Sequence, residues 1–451
     1  MKRVLAWGGD LRDMARFAAP IVLVNVGIQA MGVVDALMVG HLGGAAIASV
    51  ALGNMYFFNI SIFGIGLLLA LDPVISQAIG AGDHEDVARG VQRGLLLALA
   101  LSVFVTLALM PGEWLLHALR QPVDVTSDTA MYTRRRAIGV VPFFVFSVLR
   151  QALQAMGKVR PVLIAVVAAN IMNVCVNWLL IFGNLGAPRL GVVGAGYATA
   201  LSMWAMAATL LAIAWPTLQS SLRPWRPDTL RWLPIVRTLR IGTPIGVQFF
   251  FESFAFGLTA LLMGWMGTAS LAGHEIALNM AALTFMVPLG IAGAASVVVG
   301  RAIGRGDIPA ARRDAVAAII CGTGFMCISA VAFLAAPQWL ATRYTTEAAT
   351  VAVAVSLIPL AGMFQVFDGL QAVTGGVLRG TGDTRIPAVL HMVAFWGIGV
   401  PLGAYLGFRT PLRERGLWIG LVAGLAAAAL LQSGRVVLRL RGDLRRVRVD
   451  H

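Results

Sequence analysis

Three acidic side chains lie inside long apolar stretches of this chain, where ionisable groups are rare. Asp35, Glu252 and Asp368 are flanked by apolar residues, and none has a Lys or Arg within a few positions along the chain. An ionisable group at bilayer depth costs at least about 2–3 kcal/mol, and it usually marks the path of an ion or a substrate. Carboxylates in such surroundings can bind a proton or hold a small cation, so we predict that these three are cation-coupling residues.

The composition indicates which elements position these acids. Hydrophobic residues make up 58% of the 451-residue chain and charged residues 12%, whereas about a quarter of the residues of a soluble protein are charged. Twelve apolar runs of about 20 residues, the fourth near 137–156, are each long enough to cross a bilayer. The runs are continuously apolar rather than alternating, which excludes a β-barrel. The sequence therefore predicts an all-α polytopic membrane protein with twelve transmembrane helices.

Basic residues are unevenly distributed between the loops. The chain has 35 Lys and Arg against 21 Asp and Glu, and with twelve spans 26 of the 35 basic residues fall on the side of the termini. Cytoplasmic loops of membrane proteins carry such an excess, so we predict that both termini are cytoplasmic. The surplus is expected to contact lipid headgroups, and no nucleic-acid partner is expected.

The chain also contains an internal duplication. At an offset of 224 residues, Arg16 aligns with Arg240 and Pro20 with Pro244, and positions 16–83 share 17 identities in 68 columns. Biased apolar composition alone gives about a tenth of identical columns. A second, shorter similarity between the two halves follows downstream, and there the later copy has one residue inserted. The two halves are therefore predicted to share one fold.

The duplication predicts two six-helix lobes. An even number of spans returns the chain to its starting side, so the lobes are related by a pseudo-twofold axis along the membrane normal. We predict an N-lobe with helices 1–6, a cytoplasmic linker, and a C-lobe with helices 7–12 and a basic tail, at residues 1–215, 216–236 and 237–451. Two such lobes with a cleft between them suit alternating access.

The first lobe contains polar residues that suit Asp35. Asn173 and Asn177 are four residues apart and so lie on one helix face, and Thr199 lies on the following span. With Asp35 they would supply the oxygen ligands of a proton or small-cation site. The alternative is that the two amides and the hydroxyl only join helices by hydrogen bonds, as most intramembrane Asn and Thr do.

The second lobe carries its acids at different positions. The repeat partner of Glu252 is Ile28 and that of Asp35 is Thr259, so the acids of matching helices differ in depth. Asp368 has no acidic partner in the first lobe. We predict that Glu252 and Asp368 bind a proton, Na⁺ or an organic cation.

Several further residues are weaker candidates. Asp72, Glu275 and Asn279 are additional candidates for the cation site, with solvated helix ends as the alternative for the two acids. His274 and His391 are interpreted as hydrogen-bonded packing residues rather than metal ligands. The candidate substrate-lining residues, for which lipid-facing or interlobe packing is the alternative, are Phe249, Phe250, Phe256 and Met286.

The motifs of common enzymes are absent from the sequence. It contains no Walker motif, no HExxH, no CxxC and no Ser-His-Asp order, and its Gly-x-Gly-Asp turns lack the strand and lysine context of a phosphate-binding loop. We therefore expect no enzyme activity and no cofactor apart from Na⁺ or H⁺ as coupling ion.

Specific motifs resemble those of a known transporter family. They include residues 33–40 around Asp35, the Asn173 and Asn177 pair, Phe250-Phe251-Glu252, residues 273–279 around Glu275, and Phe367-Asp368. In order and spacing they resemble the multidrug and toxic compound extrusion (MATE) family, in its NorM-type branch, over nearly the whole chain.

The resemblance implies a function. Relatives of this kind export bulky, often cationic and aromatic compounds from bacteria across the inner membrane, in exchange for Na⁺ or H⁺. The resemblance implies that Glu252 and Asp368 take part in cation coupling. It also implies that Asp35 belongs to a proton or cation site in the N-lobe. Glu275 departs from the branch, where a neutral amide is expected. We expect a functional monomer, although the sequence leaves a dimer open.

Two other functions remain open at this point. A flippase for lipid-linked precursors shares the two-lobed architecture, but it needs basic residues to hold a pyrophosphate. Here the mid-span charges are acidic, with Arg150 and Arg379 near span ends as the exceptions. A cation channel is the other alternative, although no selectivity-filter sequence is visible.

Overall fold

Twelve helices of membrane-spanning length form the protein. The computed structural model describes residues 2–118 and 123–450, and these contain twelve helices that are long and apolar enough to cross a membrane, with no strand among them. We number them α1 to α12: Gly9–Gly40, Gly44–Gly80, His84–Leu109, Val125–Ala155, Arg160–Phe182, Val192–Leu222, Trp232–Met266, Thr268–Gly304, Ile308–Ala335, Ala348–Gly380, Arg385–Arg409 and Glu414–Arg441. A helix satisfies its backbone hydrogen bonds internally, which a bilayer requires. The predicted all-α class and the count of twelve spans are confirmed.

Three of these spans are interrupted. α2 has a turn between Leu68 and Leu71, and α4 includes the 3₁₀ turn Ala137–Gly139. α11 contains a π-helical segment, Val393–Gly399. Pro401 follows this segment and has no N–H to donate to the carbonyl four residues earlier, which favours a widened turn at this place.

The fourth span begins earlier than the sequence predicted. We predicted a span near residues 137–156, whereas α4 starts at Val125. Polar residues and the run Arg134-Arg135-Arg136 lower the hydropathy of this first part, so it was interpreted as a loop. The extension places Tyr132 and Arg136 inside the helix.

The chain divides into two compact units. Unit 1 comprises the chain up to Val22, Gly80–Gly82 and Val247–Arg448, and unit 2 comprises Leu23–Ile79, Asp83–Gly246 and the residues from Val449. The beginning of α1 thus belongs to unit 1 and the beginning of α7 to unit 2. The changes of unit within α1 and α7 each follow a proline of the repeat, Pro20 or Pro244, within three residues. The predicted lobe boundaries at residues 215 and 237 stay a prediction.

The connection between the halves is shorter than the predicted linker. α6 continues to Leu222 with Pro216 inside it, and the next helix starts at Trp232. Gln92 of α3 binds this connection, because its side-chain nitrogen donates to the carbonyl of Ser221 at 3.0 Å and its oxygen accepts from the Thr229 hydroxyl at 3.0 Å.

Unit 1 has an aromatic core and a close helix pair. Trp418 of α12 is fully buried in a cluster with Phe364 and Phe395. α11 and α12 approach each other through glycines: a Cβ on Gly420 would lie only 2.3 Å from the Cα of Gly403. Small residues spaced by four lie on one face and let two backbones come this close. This contact fixes α11 beside α12 just after the π-helical segment.

Unit 2 has an apolar cluster near Asp35. Val39, Val50, Tyr132, Ile181 and Val192 are buried together, contributed by α1, α2, α4, α5 and α6. Val39 lies one helical turn after Asp35, so the cluster encloses this end of the acid's helix.

Candidate cation-binding sites

Asp35 lies in a polar site inside unit 2. Its side chain is only 1% exposed. One carboxylate oxygen, Oδ1, accepts from the amide nitrogens of Asn173 at 3.0 Å and Asn177 at 2.6 Å. The other oxygen, Oδ2, lies 2.6 Å from the Thr199 hydroxyl. The structure thus brings together the four residues that the sequence grouped, and their role in coupling stays a prediction.

The hydroxyl of Thr199 has two acceptors but only one hydrogen. Besides Asp35, it lies 3.0 Å from the carbonyl oxygen of Ala195. When Asp35 is ionised, Thr199 donates to the carboxylate. When Asp35 carries a proton, it donates to Thr199, which then donates to Ala195, because a carbonyl only accepts. The contact between Asp35 and Thr199 therefore has a hydrogen-bond arrangement for each protonation state of the acid.

The same site offers oxygens to a cation. The Asn177 side-chain oxygen is buried and has no hydrogen-bond partner in the described part of the chain. An unsatisfied buried acceptor costs about 1–3 kcal/mol. Oxygen ligands of this kind, next to a carboxylate and a hydroxyl, suit a hard cation. The donor set fits both a proton and Na⁺.

A cation of the protein lies close to this acid. Arg136 of α4 donates to Asn54 and to the Tyr132 hydroxyl, the latter at 3.1 Å, and its guanidinium lies 4.0 Å from the centroid of Phe57. Arg136 interacts electrostatically with Asp35. The charge of the acid is thus partly balanced within unit 2.

Unit 1 holds the other two acids. Asp368 of α10 is 7% exposed, and it makes no hydrogen bond within residues 2–118 and 123–450. It interacts electrostatically with Glu252 of α7. The Oε2 atom of Glu252 lies 3.5 Å from Nε2 of His391. Two carboxylates and one imidazole therefore lie together, and a Na⁺ ion at the acids stays a prediction.

The weaker candidates lie in different surroundings. Asp72 lies in the first turn of the second helix of α2, but this helix end is buried rather than solvated, with Asp72 at 5% exposure. Glu275 and Asn279 are exposed on one face of α8, where the Asn279 amide donates to the Glu275 carbonyl at 2.8 Å. Within the described residues, none of these three weaker candidates makes a hydrogen bond to Asp35, Glu252 or Asp368.

The candidate substrate-lining residues differ in exposure. Phe250 is 44% exposed, and Phe249 and Met286 are half-buried. Phe256 packs in the core of unit 1, with ring centroids 6.0 Å from Phe364 and 6.1 Å from Phe395. Phe256 therefore packs as a core residue, and the lining role of Phe249, Phe250 and Met286 stays a prediction, with lipid-facing packing as the alternative.

Comparison with known proteins identifies the family of this chain. The sequence model of the MatE family matches residues 20–179 and again 244–405, together more than half of the chain. The chain is a member of the MatE family. The two matches begin at Pro20 and Pro244, the positions that the internal duplication aligns. The predicted family is confirmed, and each copy of the repeat is itself a MatE unit.

Full-length relatives of this MatE chain are known. A probable multidrug resistance protein NorM of Mesorhizobium japonicum is 37% identical over 450 residues, covering 96% of this chain and 95% of the relative. The multidrug resistance protein PmpM of Pseudomonas aeruginosa is 34% identical over 457 residues, covering 99% and 95%.

Solved structures share the fold. The crystal structure of the eukaryotic MATE transporter AtDTX14 superposes with a TM-score of 0.88 over 96% of both chains, at 22% identity. An outward-facing multidrug resistance MATE family transporter gives a TM-score of 0.85 over 96% of both chains, at 21% identity. The fold of this chain is that of MATE transporters.

Sequence reasoning missed Tyr132 and Arg136 near Asp35, and it missed that His391, interpreted as a hydrogen-bonded packing residue, lies beside Glu252. Tyr132 and Arg136 fall in the part of α4 that was interpreted as a loop. His391 and Gln371 contact each other in unit 1, although they are on different helices. The signals were present, in a Tyr four residues before an Arg and in a His before a Gly- and Pro-rich stretch, but neither indicates a partner.

Proposed function

We propose that this MatE protein is a secondary active multidrug efflux transporter. It exports organic, mostly cationic and aromatic compounds in antiport with H⁺ or Na⁺ by alternating access. It acts as a monomer in the inner membrane of a bacterium, with both termini in the cytoplasm and lipid headgroups against its basic loops. The names of its relatives, multidrug resistance proteins over nearly the full length, support the substrate class.

One observation carries the coupling part of the proposal. Asp35 is a fully buried carboxylate on a membrane-spanning helix, and its partner Thr199 can adapt to a gain or loss of one charge, because the hydroxyl has a second acceptor in Ala195. A structural hydrogen-bond site needs only one such arrangement. A site with two arrangements can bind an ion and release it.

The ion and the drug act on the same acids in this proposal. Glu252 and Asp368 are close enough to interact, and two carboxylates in a dry site do not both stay ionised without a cation between them. An organic cation and the coupling ion therefore exclude each other. Binding of the ion from outside releases the drug, and the lobes then return to face inward.

The experiment is exchange transport in proteoliposomes. Efflux of ethidium is measured under imposed Na⁺ and H⁺ gradients for the wild type and for Asp35→Asn, Glu252→Gln and Asp368→Asn. We expect each variant to lose gradient-driven exchange. A matched control is Asp307→Asn at the cytoplasmic start of α9, where the side chain caps the helix and Asn keeps the cap. Normal exchange by all three variants would exclude the coupling role, and the gradient that drives the wild type identifies the ion.

The flippase remains the alternative of the same architecture. Its requirement for positive charge is less favoured at Arg150, because this side chain interacts electrostatically with Asp72 and contacts Asn25 at 3.3 Å. Movement of an anionic lipid-linked substrate without ethidium exchange would favour the flippase. Ethidium flux without any exchange ratio would favour a channel.

A further inference from the structure

His391 is a buried polar side chain held from several sides. It lies on α11, directly before the π-helical segment, and is 1% exposed. Its Nδ1 atom lies 3.2 Å from the side-chain nitrogen of Gln371, and its ring stacks on Phe395 at 4.6 Å and 22°. A ring fixed in this way can direct its second nitrogen at one target.

The hydrogen of the neutral ring can be located from its neighbours. The side-chain amide nitrogen of Gln371 can only donate a hydrogen bond, so Nδ1 of His391 accepts it. The hydrogen of the neutral ring is therefore on Nε2. Nε2 is buried and has no hydrogen-bond partner within the described residues, although Oε2 of Glu252 lies 3.5 Å away. A buried donor without an acceptor is unfavourable. A small rotation of the Glu252 side chain would satisfy it.

α11 also contacts α7 on the backbone beside Glu252. Trp396 donates from its indole nitrogen to the carbonyl of Phe251 at 3.3 Å, and its ring stacks on Phe254 at 5.7 Å. Along α7, Glu252 therefore lies between Phe251 and Phe254, the two residues that Trp396 of α11 contacts. The contacts of Trp396 hold α11 against α7 near Glu252, and they thereby keep His391 and Glu252 close to each other.

We propose that His391 is a positioning residue for Glu252. It donates from Nε2 to Oε2, which leaves the second oxygen of Glu252 and the carboxylate of Asp368 for a monovalent organic cation. Asp368 accepts no hydrogen bond in the described part of the chain, so its oxygens are available. The inference rests on the proposed function, and it adds a neutral donor to a site that the sequence assigned to acids alone.

The role requires a donor at position 391 and no charge. Gln can place its amide nitrogen near the position of Nε2, whereas Phe fills the volume without a donor. We expect His391→Phe to raise the KM for ethidium about tenfold, with the maximal rate unchanged within about twofold, and His391→Gln to restore the KM to within about threefold of the wild type.

The test measures ethidium efflux against concentration in proteoliposomes, with equal amounts of monodisperse protein. His274→Phe is the matched control, because His274 is also buried and accepts at Nδ1 from Trp418 at 3.1 Å, but contacts no acid among the described residues. We expect no change in KM for the control. In a Glu252→Gln background, His391→Phe should add no further loss, since His391 acts through Glu252.

A spectroscopic measurement keeps the inference testable if His391→Phe does not fold. In ¹⁵N-histidine-labelled wild-type protein, the His391 signal, assigned by its loss in His391→Gln, should show the hydrogen on Nε2. A hydrogen on Nδ1, or an unchanged KM in His391→Phe, would overturn the positioning role. If Glu252→Gln exchanges ethidium normally, the coupling role of Glu252 in the proposed function is wrong, and the inference about His391 falls with it. If Glu252→Gln loses exchange and His391→Phe does not change the KM, only the inference about His391 is wrong.

Discussion

Asp35 and Asp368 are both buried aspartates on membrane-spanning helices, but their surroundings differ. Asp35 in unit 2 has three side-chain partners at hydrogen-bond distance. Asp368 in unit 1 has none within the described residues, and its electrostatic neighbour is another acid. Both carboxylate oxygens of Asp35 have hydrogen-bond partners, whereas Asp368 has no positive or hydrogen-bonding partner in the described part of the chain.

The difference separates two ways of keeping a charge in a membrane. A carboxylate surrounded by donors can be ionised without any ligand, so it suits a small ion that comes and goes. A carboxylate beside another carboxylate needs a cation, so it suits an organic ligand that supplies the charge. We infer that unit 2 is specialised for the ion and unit 1 for the exchange of ion and drug.

The largest expected difference is in stability. Asp35→Leu removes the carboxylate that accepts from the amides of Asn173 and Asn177, so we expect the free energy of unfolding to fall by about 2–5 kcal/mol, although Thr199 can still donate to Ala195. Asp368→Leu removes a charge that has no partner, and no loss is expected. Thermal unfolding in detergent measures both. Equal losses in the two variants would refute the contrast between the sites.

Gly420→Val should affect unit 1 and leave the Asp35 site unaltered. A side chain at Gly420 meets the backbone of Gly403, and overpacking of this kind costs about 1–3 kcal/mol. We expect a lower unfolding temperature and a higher KM for ethidium, because α11 carries His391 and Trp396. The control is Gly434→Val on the same helix, where an added Cβ meets nothing within 4 Å. A control variant as impaired as Gly420→Val would show that the close contact is not the cause.

The amides on α5 should differ from one another. Asn177→Ala removes the unpartnered side-chain oxygen beside Asp35, so we expect the affinity for Na⁺ as coupling ion to fall about tenfold, or about 1.4 kcal/mol. For H⁺ as coupling ion we expect the opposite sign, because the variant loses a donor to the ionised carboxylate. Asn170 lies on the same helix face but donates to the carbonyl of Gly27 at 2.9 Å and not to the acid. Asn170→Ala should therefore retain the affinity. Ion dependence of ethidium efflux measures both, and identical losses would contradict a specific role of Asn177.

The smallest expected effect is at Thr199. Thr199→Ser keeps the hydroxyl and should exchange within about twofold of the wild type, whereas Thr199→Val removes it and should change the ion affinity by about 1 kcal/mol, downward for Na⁺ and upward for H⁺. The same efflux assay gives both values. If Val is tolerated as well as Ser, the hydroxyl does not take part in the two hydrogen-bond arrangements of Asp35.

The group around Asp35 could be predicted from the sequence. Polar side chains in apolar helices can satisfy only one another, so an acid and two amides spaced by four residues point to a common site. The twelve helices followed from hydrophobic runs for a similar reason, because a bilayer leaves the chain few alternatives. In both cases a strong local constraint determines the result.

The contact between His391 and Glu252 could not be predicted in this way. The two residues lie far apart in the sequence, on helices that the duplication does not align. Their approach depends on how closely α11 packs on α12 and on the π-helical segment, which no period in the sequence indicates. The same holds for Arg136, since a row of arginines is typical of a loop until the packing around it is known.

The π-helical segment in α11 has a consequence for helical phase. α5 begins Arg160-Pro161, whereas the corresponding start of α11 is Arg385-Ile386-Pro387, one residue longer. One extra residue turns everything that precedes or follows it by about 100° around the helix axis. α5 is a continuous α-helix, whereas α11 contains a wide turn at Val393–Gly399. A π-helical turn holds one residue more than an α-helical turn, so the residues before it, His391 among them, are rotated by about 100° around the axis relative to those after it, compared with a continuous helix.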